Sequence, residues 1–276
     1  MKPLTARLLA ALVVSALALA ACGSSEDGES GTGEHGGDHA SLGTIRAGKL
    51  TVCSDVPYAP FEFEEGGQLK GIDVDLVKSI ADKLDLEAEF RDTDFDGIFA
   101  ALAAGNCDMI ASSVSITEER KKENNFSQGY FEINQSLLVR KGDESRYTDF
   151  PSLSGRTIGV QSETTGAEFA RVQAATAGVE VKEFTGADEL FTALKAKQID
   201  GVVQDFPINS YNAETTGDTV VSKVFTEAEE EEYGFVIPKK SAALLDAVNG
   251  ALDELRSDGT YDEVLERYLG EKATSS

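Results

Sequence analysis

Thr157-Ile-Gly-Val-Gln-Ser-Glu-Thr-Thr-Gly-Ala-Glu-Phe-Ala-Arg-Val-Gln-Ala-Ala-Thr-Ala-Gly-Val-Glu-Val-Lys-Glu-Phe184 decides the fold class. Thr157 to Val160 reads as a short β-branched strand, and Thr165-Gly-Ala-Glu168 as a capping box that opens a helix to about Ala175. Val179 to Phe184 reads as a second strand. A helix follows over Asp188 to Lys197, then a strand over Ile199 to Gln204. Strands that alternate with helices predict an α/β unit with a mainly parallel sheet and helices on both faces.

The upstream half repeats this rhythm. Leu50 to Ser54, Leu86 to Arg91, Met109 to Val114 and Ser136 to Arg140 read as strands. Ile72 to Leu84 is helical, with Leu76, Val77, Ile80 and Leu84 on one face, and Asp94 to Ala104 places Phe95, Ile98, Phe99 and Leu102 at helical spacing. Downstream, Phe235 to Ile237 returns as a strand. Two helices close the chain, the last opening on Thr260-x-x-Glu263. Two such sets give two α/β lobes, and open α/β sheets bind ligands at the C-terminal ends of their strands.

The chain has 276 residues, 49 of them acidic and 25 basic, for a formal net charge of −24. No nucleic-acid partner is expected from such a surface. Its bulk acidity reads as solubility and surface field. Lys2 and Arg7 precede an apolar run from Leu8 to Ala21, too short to span a bilayer comfortably, which ends Leu19-Ala20-Ala21-Cys22. This resembles a bacterial lipobox, so residues 1–21 read as a signal peptide and Cys22 as the lipidation site. Residues 22–43, rich in Gly, Ser and acids, read as a flexible tether. The mature protein would then be extracytoplasmic and held at the membrane by lipid.

Several local patterns fail on context. Gly31, Gly33 and Gly36 spell a dinucleotide fingerprint with no strand before them, and Gly43 to Lys49 mimics a P-loop with Leu50 where Ser or Thr is needed. His35 and His39 lie in the tether. Asp92-Thr-Asp94-Phe-Asp96-Gly97 copies half a calcium loop, but Ala103 stands where the bidentate Glu belongs. Those acids read better as caps of the Phe95 helix. No metal or cofactor is expected.

Candidate ligand residues gather at strand ends. In Ser112-Ser-Val-Ser115-Ile-Thr117-Glu-Glu-Arg120, hydroxyls end a strand, Thr117 resembles an N-cap, and Arg120 falls in a first helical turn. There a cation opposes the helix dipole unless it serves an anion, and a guanidinium matches a carboxylate bidentately. Thr164 and Thr165 add hydroxyls and free N–H groups at a helix start. Asp205, at a strand end before Pro207, is placed either to receive an ammonium or to cap a helix. Asp55-Val-Pro-Tyr58 follows the first strand, and Tyr58 with Phe95 could sandwich a ligand. An anion site and a cation site across one cleft describe a zwitterion.

These strings, with Gly71-Ile-Asp73-Val-Asp75-Leu76, Phe95-Asp-Gly97, Phe126-Ser-x-x-Tyr130-Phe131, Ile158 to Ser162, Asp200 to Pro207, Tyr233-Gly-Phe235 and Asp258 to Tyr261, resemble bacterial extracellular solute-binding proteins of family 3 over about residues 44 to 270. The resemblance implies a type II periplasmic-binding-protein fold with two hinge crossovers. Lobe 1 would span 44–131 and 236–270, and lobe 2 would span 136–230. It implies a monomeric, non-enzymatic receptor that delivers a polar amino acid to the permease of an ABC importer. Arg120, with Ser115 and Thr165, would grip the α-carboxylate, and Ser113 with Asp205 the ammonium. Asp55, Tyr58, Phe95 and Gln161 would surround the side chain. Those four positions hold no Lys or Arg, which favours arginine, lysine or histidine, then glutamine. A dehydratase on the same fold, with Glu163 or Asp205 as acid, and an amino-acid sensor are the alternatives.

Glu163 stands where the family usually has Gly. Export favours a disulfide between Cys53 and Cys107, while the strand register leaves the pairing open.

Overall fold

The computed structural model describes residues 42–228 and 230–270. The expected signal peptide, Cys22 and most of the expected tether, including His35 and His39, lie outside the described residues.

The first lobe opens with β1 (Lys49–Ser54), a hairpin of β2 (Phe63–Glu65) and β3 (Gln68–Lys70), and α1 (Ile72–Lys83). It continues through β4 (Glu87–Asp92), α2 (Phe95–Ala103), β5 (Met109–Ile110), α3 (Glu118–Glu123) and β6 (Asn124–Phe126). The chain crosses through β7 (Phe131–Ile133) into β8 (Gln135–Arg140), β9 (Thr157–Gln161), α4 (Thr165–Ala177), β10 (Glu180–Phe184), α5 (Ala187–Lys195), β11 (Gly201–Asp205), α6 (Phe206–Thr216) and β12 (Thr219–Val224). It returns through β13 (Glu231–Tyr233) to β14 (Val236–Pro238), α7 (Ala242–Asp258) and α8 (Thr260–Leu269).

The two sheets have matching plans, β4-β1-β5-β14-β6 and β10-β9-β11-β8-β12. In each, three strands are parallel and the remaining two join by antiparallel pairing. The expectation of mainly parallel sheets is thus corrected to mixed ones. β8 and β14 enter their sheets straight from a crossover rather than through a βαβ helix, so nothing turns them parallel. The two crossovers pair with each other, β7 against β13 from Phe131↔Tyr233 to Ile133↔Glu231.

Both sheets are covered on both faces, as parallel cores require. Leu50, Val52, Leu76, Ile80, Val248 and Leu252 pack one side of the first sheet, and Ile98, Leu102, Ile110 and Val236 the other. Val160, Ala167 and Ala170 pack one side of the second, and Leu190, Leu194 and Val202 the other. Cys53 and Cys107 are joined in a disulfide inside the α2-side core, Cα to Cα 5.7 Å. It is possible because β1 pairs with β5, with Cys53 opposite Ile110.

Three sequence boundaries shift. β5 is two residues long and not six, because the chain leaves the ladder at Ala111 and Ser113 turns to a left-handed φ of 51°. The N-cap of α4 is Thr164, whose Oγ1 accepts from Ala167 N at 3.1 Å. Thr165 is therefore the first helical residue and the expected capping box is one residue out of register. Gly259, not Thr260, caps α8.

Candidate functional site

A pocket lies where the strand ends of the two sheets face each other. Its lining is Asp55, Tyr58, Phe95, Ser112, Ser113, Ser115, Arg120, Gln161, Thr164, Thr165 and Asp205. All eleven residues singled out in the sequence are therefore brought together, seven from the first lobe and four from the second.

Arg120 sits at the third position of α3, whose N-cap Thr117 accepts from Arg120 N at 3.1 Å. Its guanidinium donates to Ser115 O and to Glu163 O, both at 3.0 Å, and lies 5.6 Å and 5.4 Å from the ring centroids of Phe95 and Phe99. No side-chain carboxylate pairs with it among the described residues. The neighbouring Glu118 and Glu119 pair with Lys121 and Lys122. Burial lowers the Arg120 pKa while Glu231, Glu168 and Asp205 favour its charge, so the cation is ready for an external anion.

Asp205 stands at the N-cap position of α6 but makes no side-chain cap. Its carboxylate accepts from Tyr58 OH at 2.7 Å, Gln135 Nε2 at 2.6 Å and Tyr233 OH. Burial, reinforced by Glu231, lifts its pKa to about 6, while the three donors favour the charged form. Asp55 accepts from Gln161 Nε2 at 2.6 Å, and burial lifts it to about 7 with help from Asp92, Asp94 and Asp188. Gln161 is held in turn by Thr185 O and Gln204 Nε2.

Four side-chain hydrogen bonds cross between the lobes among the described residues: Tyr58 to Asp205, Gln161 to Asp55, Arg120 to Glu163 O, and Ser115 Oγ to Thr165 Oγ1 at 3.3 Å. The last depends on the shifted cap, which frees the Thr165 hydroxyl. Glu163 is exposed, does not line the pocket, and adopts φ 61°. The left-handed backbone explains why Gly is usual there; here the residue offers Arg120 a carbonyl and not a carboxylate.

The acids at Asp92 and Asp94 do not cap α2 through their side chains: Asp92 accepts from Val56 N, and Asp94 makes no side-chain cap. Sequence reasoning missed Gln135, Tyr233 and Glu231, which surround Asp205. Tyr233 lay in a recognised string without a role, and its only signal was a tyrosine on a crossover strand.

Comparison with known proteins agrees with this arrangement. The family model for bacterial extracellular solute-binding proteins, family 3, matches residues 50–271. The glutamine-binding protein of an ABC transporter from Bacillus subtilis is 34% identical over 214 residues, 74% of each chain. The arginine-binding extracellular protein of the same organism is 30% identical, covering 81% of this chain and 88% of that one. An ancestral arginine-binding protein with bound arginine superposes with a TM-score of 0.76 at 36% identity, covering 81% of this chain and 99% of that chain. With its two mixed α/β lobes and its strand-end pocket, this chain belongs to family 3 of the bacterial extracellular solute-binding proteins and has the type II periplasmic-binding-protein fold.

Proposed function

We propose that this protein captures a free α-amino acid with a cationic side chain (arginine, lysine or histidine, with glutamine next) and delivers it to the membrane permease of an ABC importer. The observation that carries the reading is the charge plan of the pocket. One guanidinium, Arg120, has no carboxylate partner, and two buried carboxyls, Asp205 and Asp55, have no cationic partner among the described residues. An α-carboxylate on Arg120, an ammonium on Asp205 and Ser113, and a side-chain cation near Asp55 satisfy all three. Tyr58, Phe95 and Gln161 flank the aliphatic part, and Ser112, Ser115, Thr164 and Thr165 supply hydroxyls. The relatives named above as binding glutamine and arginine support the same class.

The four contacts across the cleft support a closing motion in which ligand groups on both lobes shift the equilibrium toward the closed form. Asp205 accepts three hydrogen bonds and Glu163 faces outward, an arrangement suited to holding charge and not to donating a proton to a leaving group. We read the protein as a monomer anchored by lipid at Cys22. No helix among the described residues is long and apolar enough to cross a membrane. A Cys22→Ala variant should move from the membrane fraction to the medium.

The deciding experiment is a thermal-shift screen of the twenty amino acids, because a ligand that binds only the folded state raises its Tm. Arginine, lysine or histidine should give the largest rise, glutamine a smaller one and glutamate none. No rise with any amino acid would overturn the assignment.

A further inference from the structure

Beneath Ser112 and Ser113 the first lobe holds two carboxyl groups that the pocket does not expose. Glu62 and Asp73 are both 0% exposed. Gly71 makes their approach possible: a Cβ there would stand 1.9 Å from Phe61 O. The N–H groups of Ile72 and Asp73 donate to Pro60 O and Phe61 O at 3.1 Å. The start of α1 is thereby docked against the segment that carries Glu62.

Each acid is bonded to one of two adjacent pocket serines. Ser112 Oγ donates to Glu62 Oε1 and accepts from Asp55 N, both at 2.9 Å. Ser113 N donates to Asp73 Oδ2 at 2.9 Å, and Tyr130 OH donates to Asp73 Oδ1 at 2.6 Å. Glu62 Oε2 and Ser113 Oγ are buried without a hydrogen-bond partner among the described residues. The titratable groups facing the pair are Asp55, Tyr58 and Tyr130, with no lysine or arginine among them. Two carboxylates in a sealed, cation-free space cannot both hold a charge. The donors decide which does. Asp73 has one within hydrogen-bond distance on each oxygen, whereas Glu62 has one on Oε1 alone, the Ser113 side chain favouring its charge only as a minor influence. Burial and then the neighbouring Asp73 raise Glu62 well above the usual carboxyl range, whereas burial lifts Asp73 to about 7 against the bonds from Tyr130 and Ser113, which favour its charge.

We propose that Glu62 is a neutral carboxylic acid at pH 7 which, with Asp73 as the member that takes the pair's charge, forms a positioning pair that sets Ser112 and Ser113 for the ligand; this role rests on the reading of the pocket as an amino-acid site. Asp73 holds the N–H of Ser113, whose left-handed φ of 51° is unfavourable for a serine. Glu62 takes the single hydrogen of Ser112, leaving that oxygen to anchor the backbone of Asp55. One pair thus organises the ammonium end and the side-chain end of the pocket together.

The test uses the full-length protein with Glu62→Gln, an isostere of the neutral acid, and Glu62→Ala. In the ligand-free protein, the stability curve between pH 5 and pH 8 should lose one proton's worth of slope in Glu62→Gln, about tenfold in the unfolding equilibrium per pH unit. Carboxyl-labelled glutamate NMR of the unmodified protein should show one glutamate still protonated at pH 7, a measurement that does not depend on either variant folding. Arginine affinity should stay within about threefold in Glu62→Gln and fall about tenfold or more in Glu62→Ala, where Ser112 loses its acceptor. Equal pH slopes for the unmodified protein and Glu62→Gln, or no protonated glutamate at pH 7, would overturn the neutral acid. Equal affinity in Glu62→Ala would overturn the positioning role. If the unmodified protein binds no amino acid, the pocket reading falls and the positioning role falls with it, while the slope and the NMR signal still decide the state of Glu62.

Discussion

The two lobes share a strand plan and divide the labour unequally. The first supplies seven pocket residues, among them the guanidinium, and carries the disulfide and the buried acids Glu62 and Asp73. The second supplies Gln161, Thr164, Thr165 and Asp205, three of which reach back to first-lobe side chains. On the proposed reading, the difference makes the first lobe the receptor face and the second its cover. Gln161, Thr165 and Asp205 bond across the cleft to Asp55, Ser115 and Tyr58.

The largest break in that asymmetry should come from Arg120→Ala. Removing the receptor face's cation leaves a buried carboxylate unpaired and should weaken binding by about 3–5 kcal/mol in titration calorimetry. Unchanged affinity would show that the carboxylate sits elsewhere. Next, replacing Cys53 and Cys107 by Ala should lower unfolding stability by about 2–4 kcal/mol, because the bond closes a span of 54 residues in the first lobe alone. Denaturant unfolding measures it, and an unchanged midpoint would remove the bond from the account of that lobe's stability.

Smaller effects sharpen the contrast. Asp55→Asn should weaken arginine binding by about tenfold and leave glutamine nearly unchanged, a selectivity that competition binding reads directly. Asp55 rises to about 7 and Asp205 to about 6, both through burial. A cationic ligand needs Asp55 ionised, so arginine affinity should fall as pH drops through about 7. Glutamine affinity, linked only to Asp205, should hold until about 6. Stability of the empty protein runs the other way. The fold retains protons that the unfolded chain loses near pH ~4, so stability falls as pH rises from there toward 7, and Asp55→Asn should flatten the slope. Smallest, Thr165→Val removes the contact with Ser115 and should cost about 0.5–1.5 kcal/mol of affinity.

Much of this was legible in the sequence, for identifiable reasons. The helix faces of Leu76, Val77 and Ile80 and of Phe95, Ile98 and Leu102 follow local periodicity, which needs no partner to be read. Arg120 stood out because a cation in a first helical turn is locally unfavourable. Thr164 and Thr165 were adjacent hydroxyls, and only the backbone could say which one caps α4. Gln135 and Tyr233 escaped because their importance is a convergence on Asp205 from residues 70 and 28 positions away. Glu62 and Asp73 drew no role from the sequence, since burial of a charge is a tertiary fact without a local signature. The mixed sheets were missed because strand direction is set by the crossovers.

The paired crossover strands have a mechanical consequence. β13 is not only hydrogen-bonded to β7 but also fastened to the Arg120 loop, through the bridge between Ser115 and Tyr233 and the bond from Ile116 N to Glu232 O at 2.8 Å. The same Tyr233 reaches Asp205 on the cover. The ribbon therefore ties both charge sites to one pair of strands, and on the proposed reading it would act as a gear that couples the two chain crossings. A molecule that carries only a carboxylate or only an ammonium would engage one tooth of it. It could occupy the cleft without driving the full turn, so on the proposed reading occupancy and closure would be separable quantities, with the solute selected by the second.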